Sequence, residues 1–102
     1  SYNSIARLYS AKKNYVLALE YYDKAIKLGE NNNEVKLVNN ALQEKIFILA
    51  KVKRYDEALL ISDILKKKSK ESQTHLALGY FYTELNQSDS AYFYLNKASK
   101  SN

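Results

Sequence analysis

The chain has 102 residues, a net charge of +5, ten Tyr and two Gly, and it lacks Cys, Pro, Met and Trp. The missing Cys excludes disulfides and thiolate metal sites, and His75 alone cannot supply a multi-histidine metal centre. Because β-rich proteins usually place Gly and Pro in their turns, this composition favours helices joined by short polar loops. We therefore predict one all-α domain over residues 1–102, without catalytic residues, metal ions or cofactors.

Two further properties of the sequence concern the location of the protein and its relation to a longer chain. No apolar run approaches the roughly 20 residues needed to cross a bilayer, and no signal segment opens the sequence. We therefore predict a cytoplasmic protein without a membrane partner. Because the chain starts at Ser1 and contains no Met, we also predict that it is cut from a longer protein.

Hydrophobic periodicity predicts six helices along the chain. They are expected over residues 2–13, 15–28, 34–52, 55–68, 71–84 and 88–100. The string GENNN from Gly29 to Asn33 should end the second helix with Gly29 at the C′ position, because Gly and Asn favour helix ends and turns. Around this string we expect a longer loop and an extra turn on the third helix.

A repeated pattern appears when the chain is aligned on Ala18, Ala58 and Ala91, which are 40 and 33 residues apart. Apolar or aromatic residues recur at offsets 0, 3, 4 and 7, which form one face of a first helix, and at offsets 13, 16, 20 and 23 in a second helix. Small residues among them should let the two helices approach closely. The pattern holds Tyr2, Ile5, Ala6, Tyr9, Tyr15, Ala18, Tyr22 and Ala25 in copy one; Leu42, Lys45, Ile46, Leu49, Tyr55, Ala58, Ser62 and Leu65 in copy two; and His75, Leu78, Gly79, Tyr82, Ser88, Ala91, Leu95 and Ala98 in copy three.

This spacing resembles the tetratricopeptide repeat, a helix-turn-helix unit with a period of about 34 residues. The resemblance covers nearly the whole chain and implies a right-handed superhelix of three repeats, approximately residues 1–33, 34–70 and 71–102. Copy two departs from the family pattern at Lys45, Ser62 and Leu65, where the family prefers an apolar, an aromatic and a small residue. The family's late Pro is absent throughout. The pattern also assigns six tyrosines and His75 to packing positions, so we expect a structural role for that histidine. The six tyrosines are Tyr2, Tyr9, Tyr15, Tyr22, Tyr55 and Tyr82.

The resemblance implies that the first helices of the repeats line a concave groove that binds a protein or peptide. An aromatic residue that faces a groove can anchor an apolar side chain of a partner, and Phe47 and Tyr80 hold equivalent positions. The alternative is that these residues pack against neighbouring helices or the rest of the parent chain. Co-chaperone members clamp a C-terminal carboxylate with polar groove residues, and the apolar residues here disfavour that mode. The predicted groove residues are Asn3, Arg7, Gln43, Phe47, Lys51, Tyr80 and Glu84.

Two other hypotheses concern surfaces outside the groove. The last helix has apolar residues all around one turn at Tyr92, Phe93, Tyr94 and Leu95, which predicts self-association or docking against the parent chain. The basic excess lies in residues 35–70, with a net charge of +5, and could bind nucleic acid or an acidic partner. A solvated helix end, where cations complement the helix dipole, explains the lysine run better. The run is also short, has almost no Arg and lacks interleaved exposed aromatic residues, which disfavours nucleic acid. The basic residues are Lys51, Lys53, Arg54, Lys66, Lys67, Lys68 and Lys70.

Short strings within the repeats resemble a narrower group of proteins. The strings YYDKA and YLNKA and the texture rich in Lys, Asn and Tyr are similar to repeat regions of bacterial regulators. This similarity implies a scaffold or sensor segment of a signalling or transcription-regulating protein.

Overall fold

A computed structural model of the chain describes residues 1–68 and 72–100, without the side chains of Gln73 and Lys100. Within these residues the chain forms helices that pair in sequence into three antiparallel hairpins. The helices are α1 (Tyr2–Ala11), α2 (Tyr15–Asn31), α3 (Val35–Lys51), α4 (Tyr55–Lys68), α5 (Ser72–Glu84) and α6 (Ser88–Lys100). The prediction of an all-α fold is confirmed, and each described helix end lies within three residues of its predicted position.

Short loops of one repeated conformation join the helices. The middle residue of each described loop, Lys13, Asn33, Lys53 or Asn86, has a left-handed backbone with φ between 56° and 64°. The next residue donates its backbone N–H to the carbonyl oxygen five residues earlier, as Asn14 does to Tyr9 at 2.9 Å. This is the hydrogen bond of a Schellman helix end, where Gly is the usual residue. The chain uses Asn and Lys instead, which explains how so few glycines suffice.

The prediction for Gly29 was wrong. Gly29 is buried inside α2, which continues to Asn31, and the left-handed residue is Asn33. A Cβ on Gly29 would lie 2.7 Å from Cγ2 of Val38, so its role is to let α2 and α3 approach closely. The loop here is no longer than the others, because the extra residues lengthen α2 and α3 to 17 residues each.

The core follows the repeated positions. The small residues Ala6, Ala18 and Ala58 are fully buried, as the spacing predicts. Large side chains fill the space around them, and each contributes roughly 1.5–3 kcal/mol through burial. The largest fully buried apolar side chains are Tyr22, Phe81, Ile46, Leu49, Leu65 and Leu78.

Copy two accommodates its departures from the family pattern by contacts with its neighbours. The ammonium group of Lys45 on α3 donates a 2.6 Å hydrogen bond to Asp23 on α2. The hydroxyl of Ser62 donates to the carbonyl oxygen of Leu59 at 2.8 Å and lies 3.5 Å from the Tyr82 hydroxyl. A small polar residue at position 62 therefore leaves room for Tyr82 from the next repeat.

The burial of the tyrosines differs from the prediction. Tyr22 and Tyr82 are buried, but Tyr2 and Tyr55 are 39% and 41% exposed because they lie in the first turns of their helices. The assignment of these two to the core was therefore wrong.

Tyr21 and Tyr94, which the pattern leaves out of the core, pack in equivalent stacks. Tyr21 stacks on Tyr9 with ring centroids 5.6 Å apart, and Tyr94 stacks on Tyr82 at 5.7 Å. The repeat therefore uses an aromatic pair at the same two positions in its first and third copies.

Candidate functional site

The first helices of the three hairpins, α1, α3 and α5, lie side by side, and two polar contacts join them. Arg7 of α1 and Glu44 of α3 form an ion pair with 3.8 Å between Nε and Oε1. Gln43 of α3 donates from Nε2 to Oγ1 of Thr74 on α5 at 2.7 Å. We call the surface formed by α1, α3 and α5 the first-helix face; it contains every predicted groove residue.

Two of the predicted groove residues are buried within this face. Gln43 is 8% exposed and its amide contacts Thr74, so it joins neighbouring repeats and offers little surface to a partner. Asn3 is 6% exposed, and its Oδ1 is buried without a hydrogen bond. Because this oxygen is closed off from solvent, Asn3 offers a partner no accessible acceptor in this structure.

The hydroxyl of Tyr22 lies beneath the ion pair between Arg7 and Glu44. It is buried, and it makes no hydrogen bond of good geometry to either charged group. Burial raises the pKa of Tyr22 from 10.0 to about 12; the Glu44 carboxylate acts in the same direction and Arg7 opposes it. The phenol therefore stays neutral. It lies between α1 and α3, beneath the ion pair that joins them.

We predict that Tyr22→Phe reduces the loss of stability at high pH. The neutral phenol is favoured in the folded state, so its contribution is complete below pH 10 and is lost as the pH rises from 10 to about 12. Across that interval the free energy of unfolding should fall by on the order of 1 kcal/mol per pH unit through this group. Urea unfolding of both proteins below and within the interval measures the difference. Tyr80→Phe, which removes an exposed phenol, is the control, and an equal loss in the wild type and Tyr22→Phe would contradict the assignment.

The α5 end of the first-helix face is apolar and accessible. Leu76 and Tyr80 are 41% and 55% exposed and lie one helical turn apart, so their side chains are neighbours. Phe47 holds the repeat position equivalent to Tyr80 on α3 and is half-buried. Lys51 and Glu84 are exposed at the ends of α3 and α5. These residues can contact a partner without rearrangement of the core.

The α1 end of the face carries a hollow that follows from unequal helix lengths. Helix α1 has 10 residues, whereas α2 and α3 have 17 each, so their ends extend past its first turn. The open cavity there has a volume of about 410 Å³. Its lining is mostly apolar. The lining residues are Ser1, Tyr2, Asn3, Ile5, Ala25, Leu28 and Leu37.

The four residues predicted as an association surface on α6 separate into two pairs. Tyr94 stacks on Tyr82, and Leu95 lies against Gly79, so both take part in packing within the third hairpin. Tyr92 and Phe93 are 73% and 55% exposed. Association through this helix remains a prediction, and these two residues are the accessible ones.

The basic residues form two clusters at opposite ends of α4. Lys53 and Arg54 precede its first turn, whereas Lys66–Lys68 form its last turn. A 14-residue helix separates the two ends by roughly 20 Å. Lys70, the last residue of the predicted run, lies outside the described residues. The structure therefore contains no continuous patch formed by the described members of this set.

Two of these cations are engaged by neighbouring side chains. Arg54 donates two hydrogen bonds to Glu57, at 3.1 and 2.6 Å. Lys66 lies 4.9 Å from the ring centroid of Tyr82 and 3.3 Å from the carboxylate of Asp63. Partial burial acts to lower the pKa of Lys66, but its contacts with the two tyrosines, Tyr82 and Tyr94, and with Asp63 raise it overall. These contacts favour the structural interpretation of the lysine run.

Within the described residues, few groups are candidates for histidine chemistry, metal binding or membrane insertion. His75 is 5% exposed and its ring lies 6.2 Å from that of Tyr94, in agreement with a packing role. Among the described residues, no group of three or more His, Cys, Asp and Glu is placed to hold a metal ion. None of the helices in this part of the chain has both the length and the apolar character needed to cross a membrane.

Sequence reasoning missed two features of the first-helix face. The Tyr22 hydroxyl was assigned only to packing, although its repeat position beside Arg7 and Glu44 could have indicated the contact. The hollow depends on Leu28 and Leu37, which lie outside the repeat pattern. The sequence signal for the hollow was the 40-residue spacing between Ala18 and Ala58, since the extra residues extend α2 and α3 beyond α1.

Comparison with known proteins agrees with this geometry. The family model described as tetratricopeptide repeat matches residues 1–32 and 72–102. The search of curated proteins and the search of solved structures gave no match. Repeats of this family generally mediate protein–protein interaction and are typically non-catalytic. Because the family model matches more than half of a chain that folds into successive helical hairpins, the protein belongs to the tetratricopeptide repeat family.

Proposed function

We propose that the chain is a non-catalytic interaction module that binds a peptide or protein segment along the first-helix face. The observation that carries the proposal is the exposure of Leu76 and Tyr80 on α5. Both residues lie on the face on which α1, α3 and α5 meet, and together they form an apolar contact area beside half-buried Phe47. Aromatic residues in such positions are frequent anchors of binding energy.

The other end of the face supports the same proposal. The hollow beside α1 has a mostly apolar lining and can take an apolar side chain of the bound segment. Between the two ends lies the ion pair of Arg7 and Glu44, whose side chains are 53% and 41% exposed. The segment that fits this arrangement has apolar residues at both ends and polar residues between them.

The proposed context is a scaffold or sensor part of a larger regulatory or signalling protein. Its support is the similarity of the YYDKA and YLNKA strings to repeat regions of bacterial regulators. An interaction module has a clear use in such a protein, because binding at the first-helix face can bring a partner to a linked domain.

The test is selection of binding peptides from a displayed random library, followed by affinity measurement with purified variants. We expect Tyr80→Ala and Leu76→Ser each to weaken the selected peptides by about tenfold or more, because hot-spot truncations commonly cost 2 kcal/mol or more. Both residues are exposed, so both variants should fold. Circular dichroism of each variant checks this.

The matched control is Leu60→Ser on α4. Leu60 is 65% exposed but belongs to a second helix and lies outside the first-helix face. Peptide affinity should be unchanged in this variant. Peptides that bind equally well to the wild type, Tyr80→Ala and Leu76→Ser, or that are lost in Leu60→Ser, would overturn the proposal.

A further inference from the structure

Two loops of the array hold lysine in a backbone conformation that lysine seldom adopts. Lys13 between α1 and α2 and Lys53 between α3 and α4 are left-handed, with φ of 62° and 64°. A Cβ disfavours this conformation, which Gly, Asn and Asp adopt more readily. The chain itself places Asn33 and Asn86 at the corresponding point of two other loops. Because strained backbone positions cluster at functional sites, the two lysines indicate a use for their charge.

These two loops lie side by side at one edge of the array. Helices α1 and α3 run in the same direction, because α2 packs antiparallel to both. Their relative height follows from the ion pair of Arg7 and Glu44. Lys12 lies five residues beyond Arg7, and Lys51 lies seven residues beyond Glu44. At a rise of about 1.5 Å per residue, the two helix ends differ in height by roughly 3 Å. Since packed helices lie about 8–10 Å apart, both loops belong to one surface.

The surface formed by these loops, which we call the basic edge, has a large excess of positive charge. Residues 11–17 and 50–57 include five basic and two acidic residues, a net charge of +3. All five cations are exposed. Among the described residues, Arg54 is the one member that forms an ion pair, with Glu57 at 2.6 Å. The other four ammonium groups are available to an anionic partner. The five cations are Lys12, Lys13, Lys51, Lys53 and Arg54.

We propose that the basic edge binds an acidic peptide segment of a partner protein, as a second binding surface beside the first-helix face. Carboxylates of the segment pair with the lysines of both loops. An extended peptide advances about 3.3–3.6 Å per residue, so acidic residues three positions apart match the spacing of roughly 10 Å between the loops. Stacked hairpins do not cover this edge. Lys53 and Arg54 belong to the middle repeat, which has a hairpin on each side, and both remain exposed.

The charges around the basic edge favour a peptide over a nucleic acid. Asp56 and Glu57 follow the second loop, and the loop of the third hairpin is flanked by Glu84 and Asp89. A nucleic acid strand carries a negative charge at every residue, so its backbone would meet these carboxylates as it continues along the edge, and like charges repel. A peptide can place acidic residues at the two basic loops and neutral residues elsewhere. Charge complementarity therefore selects the peptide.

The experiment is fluorescence anisotropy of the purified chain with a labelled peptide that carries two pairs of glutamates separated by one serine. We expect this peptide to bind at low ionic strength, and more tightly than a peptide with glutamine in place of each glutamate. The double variant Lys13→Asn, Lys53→Asn should weaken binding by about tenfold, because each exposed ion pair contributes about threefold. Asn33 and Asn86 already adopt the left-handed conformation, so the variant should fold. Circular dichroism checks this.

A matched control removes the same number of charges from the opposite edge of the array. Lys27 near the end of α2 and Lys36 near the start of α3 are both exposed there. The double variant Lys27→Gln, Lys36→Gln should bind the acidic peptide like the wild type, and so should Tyr80→Ala of the first-helix face.

Three results would overturn the proposal. The first is equal binding of the glutamate and glutamine peptides. The second is a loss in Lys27→Gln, Lys36→Gln as large as that in Lys13→Asn, Lys53→Asn, which would show that binding follows net charge alone. The third is a thymidine oligonucleotide that binds more tightly than the acidic peptide and is lost in Lys13→Asn, Lys53→Asn, which would assign the basic edge to nucleic acid.

Discussion

Phe81→Ala is expected to lower the free energy of unfolding by about 3–5 kcal/mol, which is typical of removing a large aromatic side chain from a core. Phe81 is fully buried, and its ring lies 5.3 Å from that of Tyr82. Because small domains have only about 5–15 kcal/mol of stability in total, this loss removes a large share of it. Urea unfolding followed by circular dichroism measures the change.

The adjacent residue gives the control for this prediction. Tyr80 is also an aromatic residue of α5, but it is 55% exposed. Tyr80→Ala should change stability by no more than about 0.5 kcal/mol, as expected of a surface substitution. Equal losses in the two variants would show that the helix does not place Phe81 inside and Tyr80 outside.

Gly79→Ala is expected to destabilise the chain although Ala is the better helix former. A Cβ at this position would lie 2.6 Å from Cγ and Cδ2 of Leu95 and 3.1 Å from its backbone nitrogen. Helix propensity favours Ala by about 1 kcal/mol, but overpacking typically costs 1–3 kcal/mol and the backbone contact limits relaxation. We therefore expect a net loss of up to about 2 kcal/mol and a lower melting temperature.

A double-mutant cycle with Leu95→Ala tests the cause of this loss. If the overlap with Leu95 is responsible, Gly79→Ala should be tolerated better in the Leu95→Ala background than in the wild type. Gly29→Ala is the comparison at the other tight contact. There the close neighbour is a methyl group of Val38, and the nearest backbone atom is 3.5 Å away, so the loss should be smaller. A Gly79→Ala protein more stable than the wild type would contradict the packing argument.

Helix positions could be predicted because local pattern determines them. The apolar positions repeat with helical spacing, and the predicted helices match the described ones within a few residues. The predictions failed where the outcome depends on a neighbour. Gly29 begins a string of Gly and Asn residues that is typical of a helix end. The structure nevertheless places it inside α2, in close contact with Val38.

The candidate site could be predicted only in part. Periodicity placed Phe47 and Tyr80 at equivalent positions, and the structure puts Tyr80 on an accessible surface. Periodicity could not show that Gln43 turns to Thr74 or that Asn3 is buried, because these outcomes depend on distances between helices.

By itself the sequence determined the helical class, the repeat and the small residues at the closest contacts, because each depends on spacing along one chain. Only the tertiary structure decided which copy of a repeated position is buried. Leu8 and Phe81 occupy the same position and have the same apolar character, yet one is 56% exposed and the other fully buried. The physical reason is that burial in a repeat array comes from the adjacent hairpin, which no single repeat contains.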